Sequence, residues 1–176
     1  MKTTYKIDPV HSSAQFIARH MMISNVRGGF GKVEGTVVYD PKNLAASTVD
    51  VAIDANTVTT LEPARDAHLK SPDFLDVEKY PIITFGSKAI TTNGDGELQV
   101  KGDLTIHGVT KEVVLKVEGP SAQEKDPLGN ARIGASANTR IKRSEFGLVW
   151  NAALETGGVL IGDNVKIELE VSLIKV

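Results

Sequence analysis

From Glu97 to His107 the chain alternates strictly: Leu98, Val100, Gly102, Leu104 and Ile106 fall on one side and Glu97, Gln99, Lys101, Asp103 and Thr105 on the other. A period of two is the mark of a strand with one face in a core and one in water, and shifting it by a single residue would turn every apolar side chain outward. The next two residues, His107-Gly108, make a hairpin turn, because Gly takes positive φ freely and His does so more often than most residues. The return strand Lys111 to Glu118 then carries Val113, Leu115 and Val117 inward.

The same period recurs along the chain. Ser12 to His20 places Ala14, Phe16, Ala18 and His20 on one face. Lys32 to Asp40 does so with Val33, Gly35, Val37 and Tyr39, and Ser47 to Asp54 with Val49, Val51 and Ile53. Strand character resumes from Ile82 to Ile90, again from Arg132 to Ile141, and finally from Asn164 to Leu173 with Val165, Ile167, Leu169, Val171 and Leu173 inward. Turn signals separate the runs, among them Asp40-Pro41-Lys42-Asn43, Asn93-Gly94-Asp95-Gly96 and Asp126-Pro127-Leu128-Gly129-Asn130. Asn25 to Gly31 reads as a bulge or tight corner; no helix follows it, so a phosphate loop is the poorer reading. About eight strands joined by short turns predict an all-β fold, an eight-stranded antiparallel up-and-down barrel, since closure removes the exposed edges. Alternation alone fits a two-sheet sandwich as well. The 176 residues are expected to form one domain.

One segment breaks the pattern. Pro63 and Pro72 bracket a short helix near 63–71, Pro63 suiting the first turn and Pro72 ending it. Arg65, Asp66 and His68 put three polar functions on that helix, and Arg65 and His68 share a face at i, i+3. The segment is either a plug tied down by ion pairs or the place where a ligand's head group is met.

The chain has no cysteine, which excludes disulfides and thiolate chemistry. With 20 basic and 22 acidic residues dispersed along it, there is no electrostatic footprint for nucleic acid. No apolar run is long enough for a membrane-spanning helix or a secretory signal, so a cytoplasmic location is expected, or a periplasmic one if a leader has been removed. His11, His20, His68 and His107 lack metal-ligand spacing, and no nucleophile elbow is present. A hydrolase or metal-dependent enzyme using Arg65, Asp66 and His68 is therefore the second reading, with no cofactor expected.

The inward faces carry almost no charge and are built mostly from Val, Ile, Leu, Ala and Gly. With only five Phe and one Trp in the chain, such faces leave room for an apolar lumen. Its expected wall includes Phe16, Ala18, His20, Phe30, Val51, Phe74, Phe85, Leu104, Ile106, Phe146 and Trp150.

Asp8, His11-Ser12, Phe16, Val26-Arg27-Gly28 with Phe30, Arg65-Asp66-Ala67-His68-Leu69 with Asp73-Phe74, Tyr80-Pro81 with Thr84-Phe85, Gly102 to Gly108, and Arg143 with Phe146-Gly147 occur in an order and spacing that span nearly the whole chain. In these motifs the sequence resembles the YceI-like family of polyisoprenoid-binding, lipocalin-like proteins. The resemblance implies an extended eight-stranded barrel holding a long isoprenoid or similar fatty amphiphile, often as a homodimer, and it implies carriage, storage or sequestration rather than turnover.

Overall fold

The computed structural model describes residues 1–176. Twelve strand segments make one continuous sheet: β1 (Thr3–Ile7), β2 (Ser13–His20), β3 (Ser24–Phe30), β4 (Val33–Tyr39), β5 (Thr48–Asp54), β6 (Val58–Thr59), β7 (Ile82–Thr92), β8 (Leu98–Ile106), β9 (Val109–Glu118), β10 (Glu124–Lys125), β11 (Ala131–Lys142) and β12 (Ile161–Lys175). Six of them work in pairs. β1 and β2 both lie against β12, the first opposite Leu173–Lys175 and the second opposite Ile161–Glu170, so they are two halves of one wall strand broken at Asp8 to Ser12. β3 and β4 pair with β2 and β1 in the same way, and β6 and β5 continue the series. These three composite staves, followed by β7, β8, β9, β11 and β12, form a closed eight-stranded antiparallel barrel in which each stave pairs with its neighbour in the chain and β12 returns to the first.

The alternation of β8 is realised: Leu98, Val100, Leu104 and Ile106 are buried. His107 and Gly108 both have positive φ, 55° and 71°, and join β8 to β9 directly.

Two stretches differ from the sequence reading. Thr3 to Ile7 is a strand although it is too short for periodicity to show it. Asn25 to Phe30 is no corner, because it lies within β3, and only Gly31, a bend before β4, falls outside a strand. The glycine there serves an aromatic neighbour: Gly28 pairs with Phe16, and a Cβ on Gly28 would collide with the Phe16 ring. Gly102 leaves the same kind of space for Phe85, and Gly108 for Tyr80.

The core has two parts. Tyr5, Ile7, Ala14, Val33, Ile133 and Leu173 fill the lower end of the barrel. At the upper end, Phe85, Leu104, Ile106, Leu115, Ile141 and Phe146 belong to a larger cluster.

The single α-helix, α1 (Pro63–Lys70), starts with Pro63 in its first turn and Glu62 as its N-cap, and ends where the Ser71 hydroxyl donates to the His68 carbonyl at 2.6 Å. No residue of α1 is buried. The residues after it pack at the barrel end, with Phe74 and Val77 both buried, held by hydrogen bonds from Leu75 N to Leu69 O and from Val77 N to Lys70 O. The helix therefore acts as a brace for the turn behind it, which sets Phe74 at the rim.

Candidate functional site

Inside the upper barrel lies a cavity of about 330 Å³, walled by 33 residues of which 25 are hydrophobic. Because small residues such as Ala14 and Ala18 alternate with Phe16, Phe30 and Phe85, the wall side chains do not meet across the middle. Ten of the eleven lumen residues expected from the sequence line it: Phe16, Ala18, His20, Phe30, Val51, Phe74, Phe85, Leu104, Ile106 and Trp150. Phe146 does not. It sits in a 3-10 turn, Arg143–Phe146, is 1% exposed, and packs into the wall from outside the cavity. Val165, Ile167 and Leu169 of β12 also line the cavity, as their inward alternation indicates, whereas Leu148 and Leu160 arrive from an irregular loop with no periodic signal.

Three rings meet at the mouth. The His68 centroid lies 4.9 Å from Phe74 and 4.7 Å from Trp150, both edge-on, and Phe74 and Trp150 are 5.5 Å apart. Such tilted arrangements set ring edges against ring faces, as the aromatic quadrupole favours. His68 Nε2 is 2.8 Å from Asp73 Oδ2, which fixes the imidazole.

Of Arg65, Asp66 and His68 on α1, Arg65 and His68 line the cavity and Asp66 does not. Asp66 accepts from the Thr60 amide at 2.7 Å, the Thr60 hydroxyl at 2.6 Å and the Thr59 hydroxyl at 3.2 Å. Those bonds, led by the Thr60 hydroxyl, hold its carboxyl below the usual carboxylate range. Arg65 donates from Nε to the Thr60 hydroxyl at 2.7 Å and from Nη2 to the Thr60 carbonyl at 3.1 Å. Asp66 thus pins α1 to the end of β6 and makes no bond to His68, so the pair expected of an acid–base site does not form. No cluster of three or more His, Asp or Glu side chains suited to a metal ion occurs.

Arg143 is the polar residue of the wall that charge patterning did not single out. It is 6% exposed and donates to four backbone carbonyls: Leu148 at 2.6 Å, Trp150 at 2.9 Å, Gly162 at 2.9 Å and Ile161 at 3.2 Å. Burial lowers its basicity from the ordinary arginine value. Its fork spans both ends of the loop from Leu148 to Gly162 and so positions Trp150 over the cavity.

Residues 5–173 of the chain match the family model described as YceI-like domain. The chain belongs to the YceI-like family. A UPF0312 protein of Vibrio cholerae is 40% identical over 146 residues, covering 82% of this chain and 77% of that protein. The crystal structure of a Campylobacter jejuni YCEI protein is 33% identical with a TM-score of 0.73, covering 89% of this chain and 88% of the other. A domain from Saccharophagus degradans described as polyisoprenoid-binding shares the fold at a TM-score of 0.70 and 16% identity, covering 99% of both chains.

Proposed function

We propose that this YceI-like barrel binds a long-chain isoprenoid or similar amphiphile in its lumen, and serves as a carrier, store or sequestering protein without turning the ligand over. The observation that carries this reading is the apolar cavity of about 330 Å³ beneath an aromatic mouth. Burying a methylene is worth about 0.8 kcal/mol, so roughly ten chain carbons would contribute about 8 kcal/mol, enough for micromolar binding only if ordering costs stay small. A pre-formed barrel keeps those costs down. The polar end of an uncharged ligand would lie at the mouth, near Arg65 and His68. The Saccharophagus degradans domain of the same fold, described as polyisoprenoid-binding, supports the choice of ligand class.

The test is lipid content. Organic extraction of protein purified from its native host, followed by mass spectrometry, is expected to release an amphiphile in stoichiometric amount. Finding none, together with no displacement of a fluorescent isoprenoid analogue by any polyprenyl compound, would overturn the reading.

A further inference from the structure

Most staves of this barrel are joined along long ladders: nine residue pairs link β8 to β9 and eleven link β11 to β12. Between β9 and β11 only three pairs form, from Lys116 opposite Asn138 to Glu118 opposite Ser136. Continued in the same register, the ladder would set Leu115 against Thr139, Val114 against Arg140, Val113 against Ile141 and Glu112 against Lys142. None of these pairs exists. A slot opens in the wall, its sides formed by 111–114 and 139–142, with Phe146 and Glu145 of the 3-10 turn beside it. Val113, Thr139 and Ile141 line both this slot and the lumen, so a single layer of side chains separates the two.

The charges in the slot are unevenly spent. Glu112 faces Lys88 at 3.0 Å and Lys101 at 4.0 Å. Lys111, Arg140 and Lys142 take part in no ion pair; Glu145 is the one unpaired acid lining the slot, and outside it Asp163, already bonded to Ser144, is the acid that feels the Lys142 charge. Lys111 is the telling residue. It pairs with Leu104 and shares the inward register of Val109, Val113 and Leu115. A lysine there would lose its hydration if β11 closed over it; because the strands part, it remains exposed.

We propose that this slot is an anion-binding site, taking the phosphate, diphosphate or carboxylate end of an amphiphile whose chain passes between β9 and β11 into the lumen. The inference rests on the lipid reading of the lumen. It adds a side opening whose cations are free to the mouth near α1, where Arg65 is already bonded to Thr60.

The experiment compares geranylgeranyl diphosphate, geranylgeraniol and inorganic pyrophosphate as competitors of a fluorescent isoprenoid, in the wild-type chain and in Lys111→Gln/Arg140→Gln/Lys142→Gln. Exposed charge pairs are individually weak, so three together are expected to change diphosphate affinity about tenfold or more, with the effect shrinking at high salt. Affinity for the alcohol should stay within about twofold by the same reasoning, and that arm also shows that the variant is folded with its lumen open. Equal losses for diphosphate and alcohol, or no loss for either, would overturn the slot while leaving the lumen reading intact. Pyrophosphate binding the wild type as tightly as the lipid diphosphate would mean a site for free anions, and would overturn the proposal too. So would a dimer that the triple substitution dissociates while diphosphate binding persists, since the open strand edges would then serve strand pairing between chains. Failure of both isoprenoids to bind the wild type would remove the lumen reading and this one with it.

Discussion

Arg132 on β11 donates from Nη1 to Asp8 Oδ2 at 2.6 Å, joining residues 124 positions apart where the first composite stave is broken. The same guanidinium donates from Nε to Asp126 at 2.6 Å, and Asp8 also meets His11 Nδ1 at 2.7 Å. This network ties the break between β1 and β2, the turn after β10 and β11 together at the lower end of the barrel. The Arg132 guanidinium, and after it His11, lower the Asp8 pKa from 3.8 to about 2.

A carboxylate whose pKa is lower folded than unfolded stabilises the fold above its unfolded pKa, and that contribution is lost as pH falls through the folded one. The Asp8 contribution is therefore expected to be full above about pH 4 and to disappear between there and about pH 2. Arg132→Gln should cost about 1–3 kcal/mol at neutral pH by leaving two charged acceptors underpaired. It should also flatten the dependence of melting temperature on pH between 4 and 2. An unchanged acid limb in thermal melts of the variant would show that the network contributes nothing.

Gly28 and Phe16 test how the barrel makes room for its lumen. The ring lies over the glycine on the facing strand and lines the cavity. Gly28→Ala must displace the ring, and the open side is the lumen. Overpacking of this kind costs roughly 1–3 kcal/mol. The expected result is a modest drop in melting temperature with a clear loss of isoprenoid uptake, read by displacement of a fluorescent analogue. Normal uptake would mean that the ring moves elsewhere.

These cases show what a sequence discloses and what it does not. β8, β9 and β12 were legible because each buries one face, which writes the alternation directly into residue order. β3 was not, because Gly28 and Gly29 look like turn residues until Phe16 is known to lie across from one of them. Lumen residues such as Phe16, Ala18, Val51, Leu104 and Ile106 lie where strand parity puts them, whereas Phe74 and Trp150 sit in segments without parity. Phe146 belongs to an irregular turn without parity, and its aromatic character alone could not say on which side of the wall it packs. Asp66 read as one of the polar groups that could meet a ligand's head group because its partners, Thr59 and Thr60, lie in a stretch without a period. The slot between β9 and β11 depends on where a ladder between distant segments stops, which no local pattern records.

Arg143 holds the mouth loop through four carbonyls, and its planar fork is what lets one side chain reach all of them. Lysine keeps the charge but lacks that geometry. Arg143→Lys and Arg143→Met are both expected to lower stability by roughly 1–3 kcal/mol through the stranded carbonyls. Both should also increase proteolytic cleavage between Val149 and Leu160. If Arg143→Lys resists protease as well as the wild type, charge rather than fork geometry holds the loop.

Leu104 and Thr105 are neighbours on β8 that decide whether the barrel is a pore or a packed core. Leu104 is 9% exposed and lines the cavity. Thr105 lies on the opposite face, its hydroxyl 2.7 Å from that of Thr110. In a solid core, Leu104→Trp would force side chains off their rotamers and cost roughly 1–3 kcal/mol. In a barrel with about 330 Å³ of open space, the indole can occupy volume that a ligand chain would otherwise take. The expected outcome is a melting temperature of the ligand-free protein close to wild type, with a sharp fall in affinity for a long apolar ligand. Thr105→Trp should leave ligand affinity unchanged, because its side chain points away from the lumen. Early melting of Leu104→Trp, in a protein stripped of lipid beforehand, would mean that the cavity is filled by side-chain motion and that the barrel has no room for a chain.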